Sequence, residues 1–148
     1  MIFLDFDGVI APIVRWDRYE DPDPACVKRL NEIVAGAGAD VVVSSTHRHG
    51  KSVAELQELL AAAGFIGDVR DKTPAGAPGD DRGDEIAAWL AAHPVAGYVI
   101  LDDHVVDVGT PRTHLILTQA ARGLQPGDVA LAIDLLRRPL HAADGGPS

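Results

Sequence analysis

The sequence predicts an α/β protein in three layers, with a parallel sheet covered by helices on both faces. Two observations carry this reading. Short runs rich in Val, Ile and Leu alternate with longer stretches whose apolar residues recur at helical spacing. Several of the short runs stop abruptly in acidic or hydroxyl residues, as strands do at the ligand-binding edge of an open parallel sheet. The length, 148 residues, suits one domain around one core.

Residues 2–7 read as the first strand, an apolar run carrying two aspartates into Gly8. Residues 8–21 form a short irregular flap. Asp21-Pro22-Asp23-Pro24 breaks the chain and starts a helix, with Pro in the first turn. That helix runs from about Pro24 to Ala37, with Val27, Leu30, Ile33 and Val34 on one face. Val41-Val42-Val43 is the second strand and ends in Ser44-Ser45-Thr46. Ser52 caps a helix from Val53 to Ala63, and Gly64 stops it. Phe65 to Val69 reads as a short third strand, followed by a loop rich in Pro, Gly and Asp over 70–81. Asp80 or Asp81 caps a third helix through His93, with Ile86, Trp89 and Leu90 inward. Tyr98 to Leu101 is the fourth strand, running into Asp102-Asp103. Leu115 to Leu117 is the last strand, and Val129 to Arg137 the last helix. There is no internal repeat and no linker. Residues 1–139 are read as a single domain and 140–148 as a disordered tail.

Composition narrows the class. The chain is 47% hydrophobic and 24% charged, ordinary for a globular domain. No apolar run approaches the ~20 residues of a membrane span, and the first strand begins at residue 2 without a basic flank. Cys26 is the one cysteine, cannot form an internal disulfide, and reads as a helix-face residue. These features lead us to expect a cytoplasmic protein with no membrane partner. A net charge of -9 argues against a general nucleic-acid binder, which needs a basic footprint.

The strand ends carry the chemistry. They supply Asp5 and Asp7, then Ser44 and Ser45, then Asp102 and Asp103. Residues i and i+2 of an extended chain point the same way, so Asp5 and Asp7 should project together. Two anions buried side by side are costly without a cation or proton between them. A lone pair of this kind reads equally well as an N-cap and a turn aspartate. Two acidic pairs and a serine pair on one edge are harder to assign to chance. Carboxylates converging without His or Cys suit a hard cation, Mg2+ above all, and such an ion usually awaits a phosphate. A strand-end hydroxyl can donate to a phosphate oxygen, and Lys72 or Arg82 can balance the charge. An Asp nucleophile would give an acyl-phosphate that water hydrolyses. A second Asp two residues on would protonate the leaving oxygen and then deprotonate the water.

At this point the sequence resembles a family. Asp5-Phe6-Asp7-Gly8-Val9 resembles the first motif of the haloacid dehalogenase (HAD) superfamily of phosphohydrolases. Val41-Val42-Val43-Ser44 resembles its second motif, and Ile100-Leu101-Asp102-Asp103 its fourth. Ser44 to Arg48, Arg82 through Leu90, Tyr98 to Asp103, and Thr118 with Gly123-Leu124 are similar to the HAD domain of Swiss Army Knife RNA repair proteins. The resemblance implies a Rossmann-like α/β/α fold and a Mg2+-dependent phosphatase. It makes Asp5 the nucleophile and Asp7 the general acid/base whose backbone carbonyl is a Mg2+ ligand. It makes Ser44 the phosphate-binding hydroxyl, with Ser45 the fallback. Among the metal residues Asp5, Asp7, Asp102 and Asp103, it makes Asp103 the direct ligand of its pair and Asp102 its support. The third-motif cation is Arg82 in preference to Lys72. An acid at Asp7 favours phosphate esters over carbon–halogen chemistry.

Residues 8–21 and 64–81 are too short for a cap domain, so we expect a capless enzyme with an open site. Such a site admits a large substrate, such as a nucleic-acid end, or a partner protein that closes it; a small phosphorylated molecule fits equally. Arg15, Arg18, Arg48, Lys51 and Arg112 offer a local basic rim. The loop His47-Arg48-His49 reads as solvated before it reads as a phosphate contact. His104 with His47 would suggest a transition metal, but the acids already serve Mg2+. Trp16 and Tyr19 stack on a base or pack the flap. Trp89 belongs to the core, and Asp80, Asp81, Asp84 and Glu85 to a solvated helix start. The alternative to an enzyme is a non-catalytic partner-binding domain that retains the metal site. A response-regulator receiver fits worse, because its acidic pair and phosphoacceptor lie on different strands in the other order.

Overall fold

A computed structural model describes residues 1–13, 21–44, 50–74, 81–106 and 114–137. Its elements are β1 (Ile2–Leu4), α1 (Pro24–Ala37), β2 (Val41–Val43), α2 (Val53–Ala62), β3 (Val69–Lys72), α3 (Arg82–Ala92), β4 (Val99–Asp102), β5 (Leu115–Leu117) and α4 (Pro126–Arg137). All strand pairs are parallel, in the order β3-β2-β1-β4-β5. The first strand is therefore central, flanked by the strands that end in Ser44 and Asp102. The segments between these elements are too short for a cap domain. The expected tail lies outside the described residues.

Strand alternation sorts the side chains into two cores. Ile2, Leu4, Val41, Val43, Val99, Leu101 and Ile116 pack with α1, α2 and α4 on one face. Phe3, Val42 and Ile100 pack on the other face with Ile86 and Trp89 of α3. Trp89 is a core residue, edge-on to Phe3 at 5.5 Å. Its indole Nε1 donates to Asp71 Oδ2 at 2.7 Å, which satisfies the one polar atom it buries.

Capping explains the helix starts. Asp23 accepts from Ala25 N at 2.9 Å, ahead of Pro24. Ser52 with Glu55 and Asp81 with Asp84 form reciprocal capping boxes. Helix α4 begins at Pro126 rather than Val129, because Gln125 N is capped by Asp128 Oδ2 at 2.8 Å.

Two strands differ from expectation. β1 stops at Leu4, since Phe6 O accepts from Val9, Ile10 and Ala11 and folds the chain into a tight turn. The third strand is Val69–Lys72, not Phe65 to Val69. Phe65 is buried in the larger core without pairing, while the polar run Arg70-Asp71-Lys72 pairs with β2 across an irregularity between Val41 and Val42. Edge pairing, not hydrophobicity, decides that strand.

The turn after β1 is held from the far side by residues 118–124. Leu124 N donates to Val9 O at 2.7 Å, and Ile13 N to Ala120 O at 2.7 Å. Gly123 sits there at φ +68, and a Cβ on it would meet Val9 O at 2.5 Å. Gly123→Ala therefore combines left-handed strain with a backbone collision. We expect a loss of about 2–3 kcal/mol, seen calorimetrically as a fall in Tm of roughly 5–10 °C; an unchanged Tm would refute this packing.

Candidate active site

Parallel pairing brings the acids to one edge. Asp5 N donates to Leu101 O at 3.1 Å, so the residue after β1 lies beside the end of β4. Ser44 N donates to Leu4 O at 3.0 Å on the other side. Alternation then sets direction. Asp5, Ser44 and Asp102 each come two residues after Phe3, Val42 and Ile100, so all three take the face that α3 covers. Asp5, Ser44 and Asp102 are all buried.

Helix α3 delivers a cation to that face. Arg82, its first residue, places Nη1 2.6 Å from Asp102 Oδ2 and 3.3 Å from Asp5 Oδ1. The other Asp102 oxygen accepts from His104 N at 2.9 Å. Both Asp102 oxygens are thus engaged by the protein. Asp103 has the opposite parity and leans over the turn after β1. A Cβ on Gly8 would lie 2.6 Å from Asp103 Cγ, and Gly8 has φ +81. Only glycine fits both the conformation and the space there. Asp103 Oδ1 lies 2.9 Å from His104 Nδ1, and the Asp103 carboxylate is one of the charges that raise the Asp5 pKa. Asp7 opens the turn, half-buried and bridged to Ala11.

Lys72 goes elsewhere. Asp71 faces Trp89 of α3, so its neighbour faces the opposite side. Lys72 Nζ donates to Lys51 O at 2.6 Å, just before α2. The structure brings Arg82, not Lys72, to Asp5 and Asp102. Ser45, His47, Arg48, Arg15, Trp16, Arg18, Tyr19 and Arg112 lie outside the described residues. Thr118, which follows β5, joins the group. Its Oγ1 donates to Gly8 O at 2.6 Å, and its N to Asp102 O at 2.9 Å. Its signal in the sequence was the same as for the other sites: a polar residue directly after an apolar strand.

The electrostatics follow from the crowding. Burial, then the Asp102 carboxylate, push the Asp5 carboxyl up to about 8; Arg82 opposes this and Asp103 adds to it. Burial works against the Arg82 charge, but Asp5 and Asp102 outweigh it and hold the guanidinium protonated. Among the described residues, three carboxylates face one guanidinium here. Asp5 keeps its proton unless another cation arrives. A divalent cation fits this deficit, and an all-oxygen set suits Mg2+. Asp102, Asp103 and His104 also bring one ligand atom each within 4.8 Å of one another.

An acid pair after the central strand, an adjacent acid pair after its neighbour and a cation from the intervening helix define the HAD class of α/β domains. The family model of the HAD domain in Swiss Army Knife RNA repair proteins matches residues 1–129. The chain belongs to that family. Searches of curated proteins and of solved structures give no significant match. No helix among the described residues is long and apolar enough to cross a membrane.

The raised Asp5 pKa has a consequence for stability without metal. Between about pH 4 and pH 8 the folded chain binds a proton that the unfolded chain does not, so this residue's contribution falls as pH rises through that window. Asparagine cannot ionise. In a chelating buffer at pH 8, Asp5→Asn should be more stable than wild type by about 1–3 kcal/mol, roughly 3–10 °C in Tm. The gain should shrink at pH 5. A gain that is equal at both pH values, or absent, would contradict the assigned burial.

Proposed function

We propose that the chain is a Mg2+-dependent phosphohydrolase that acts on phosphate monoesters through an aspartyl-phosphate at Asp5. The observation that carries this reading is the meeting of Asp5 and Asp103 at adjacent strand ends, with Arg82 between Asp5 and Asp102.

Asp5, Asp103 and the backbone carbonyl of Asp7 would hold the ion, with Asp102 as support. Mg2+, when bound, supplies positive charge that lets Asp5 ionise and offsets the incoming phosphate. The chain's own groups do the rest. Asp5 attacks phosphorus while Arg82 neutralises the phosphoryl oxygens and Ser44 donates to one of them. Asp7 gives its proton to the leaving ester oxygen. The resulting Asp7 carboxylate then takes a proton from water, which attacks the acyl-phosphate and frees Asp5. Phosphoryl transfer asks mainly for positioning and charge neutralisation, which a rigid sheet edge provides.

The absence of a cap supports a bulky substrate, and the family's association with RNA repair points to a nucleic-acid end. The negative net charge confines that recognition to the terminus rather than the whole polymer.

Phosphate release from p-nitrophenyl phosphate and from 3′-phosphorylated oligonucleotides, with and without Mg2+, tests the reading. Asp5→Asn should lower kcat by roughly 10^3-fold or more. Arg82→Ala should lower kcat/KM by about 10^2 to 10^3-fold, and Lys72→Ala by less than about tenfold. No Mg2+-dependent turnover on either substrate would favour a partner-binding domain instead. Equal losses for Arg82→Ala and Lys72→Ala would remove Arg82 from its role.

A further inference from the structure

We infer that the imidazole of His104 is a metal ligand beside Asp103, so that the site takes a first-row transition metal ion such as Co2+ through a nitrogen as well as through its oxygens. The inference rests on the metal reading given under the proposed function, which uses Asp5, Asp7 and Asp103 but not His104.

One observation is an orphaned oxygen. The Asp103 side chain is only 5% exposed, and its Oδ1 is fully covered and takes no hydrogen bond among the described residues. A buried carboxylate oxygen without a donor has lost its hydration uncompensated, which calls for a ligand there. A second observation is what lies against it. His104 Nδ1 is 2.9 Å away, yet the pair does not meet in hydrogen-bond geometry. Two neighbouring ligands of one octahedral ion, each bonded at about 2.1 Å, stand about 3 Å apart. The two atoms have the spacing of a chelating pair.

Asp102, Asp103 and His104 bring one ligand atom each within 4.8 Å of one another, but both Asp102 oxygens are engaged, by Arg82 and by the His104 backbone. One carboxylate and one imidazole remain. The bond from His104 N to Asp102 Oδ1, at 2.9 Å, anchors the residue, while its side chain is 79% exposed. The ring is held at its base and open to an ion arriving from solvent.

Donor chemistry decides which ion responds. Mg2+ prefers oxygen and gains little from an imidazole. First-row transition ions bind imidazole well, with affinity rising from Mn2+ through Co2+ to Cu2+. Mg2+ therefore rests on the oxygens alone, and Co2+ recruits His104. The residue sets how strongly the site favours one ion over the other.

Calorimetric titration of the metal-free chain with Mg2+ and with Co2+ compares wild type, His104→Ala and Asp103→Asn. Alanine keeps the backbone N–H that holds Asp102, and thermal unfolding verifies the fold. His104→Ala should weaken Co2+ binding about 10- to 100-fold and Mg2+ binding by less than about threefold. Its Co2+ absorption bands should move to longer wavelength, because water replaces a nitrogen of stronger ligand field. Asp103→Asn should weaken both ions. Equal losses of the two ions in His104→Ala would mean that the ring only orients Asp103, and would overturn the inference; so would an unchanged Co2+ affinity and spectrum. Either result leaves the metal reading standing, provided wild type binds Mg2+ and Asp103→Asn binds it more weakly. A wild type that binds neither ion overturns both.

Discussion

The structure depends on one electrostatic constraint: several carboxylates are buried at a single sheet edge with one guanidinium among them. Desolvated anions at this spacing repel strongly and cannot all ionise unaided. Arg82 bridges Asp5 and Asp102 and holds part of that charge. The remainder is met by a proton on Asp5 or by an added cation. Much of the surrounding architecture serves this arrangement. Helix α3 starts where its first residue can reach both acids. Gly8 lacks a side chain where Asp103 needs the room.

The parallel sheet makes the crowding possible. Adjacent parallel strands finish at the same edge, so residues remote in sequence become neighbours without any loop having to reach. Asp5 and Asp103 are nearly a hundred positions apart, yet their carboxyls are close enough that the charge on Asp103 raises the Asp5 pKa. Position within each strand then assigns the work. Asp102 turns toward α3 and is used up by Arg82 and His104 N. Asp103, one residue on, turns toward the turn after β1. An adjacent acidic pair thus yields one carboxylate tied up by Arg82 and His104 N and one that faces the turn after β1.

The segment after β5 acts as a brace. Thr118, Ala120 and Leu124 bond in turn to Gly8, Ile13 and Val9. The turn after β1 is held by backbone groups over most of its length, which suits a site with no cap domain to clamp it. Rigidity comes from the fold's own edge.

The amino-acid order alone determined the alternation of elements, the helix starts at Asp23 and Ser52 and that of α3 to within one residue, and the candidate acids. These are local matters: capping chemistry, helical period and polar residues at the ends of apolar runs. It also carried the family resemblance, because the motif residues are contiguous. It misplaced the third strand, since Arg70-Asp71-Lys72 bears no hydrophobic signal and pairs only because β2 offers a partner. It ranked Arg82 above Lys72 only by the family pattern, because both are cations in the stretch before the fourth strand. Only the tertiary structure showed which of them meets Asp5, through side-chain parity: the face that takes Asp71 turns Lys72 away, while the first turn of α3 lies over Asp5. The partner of Thr118 was hidden for the same reason. That partner is Gly8, and two residues so far apart in sequence meet only when the sheet is assembled.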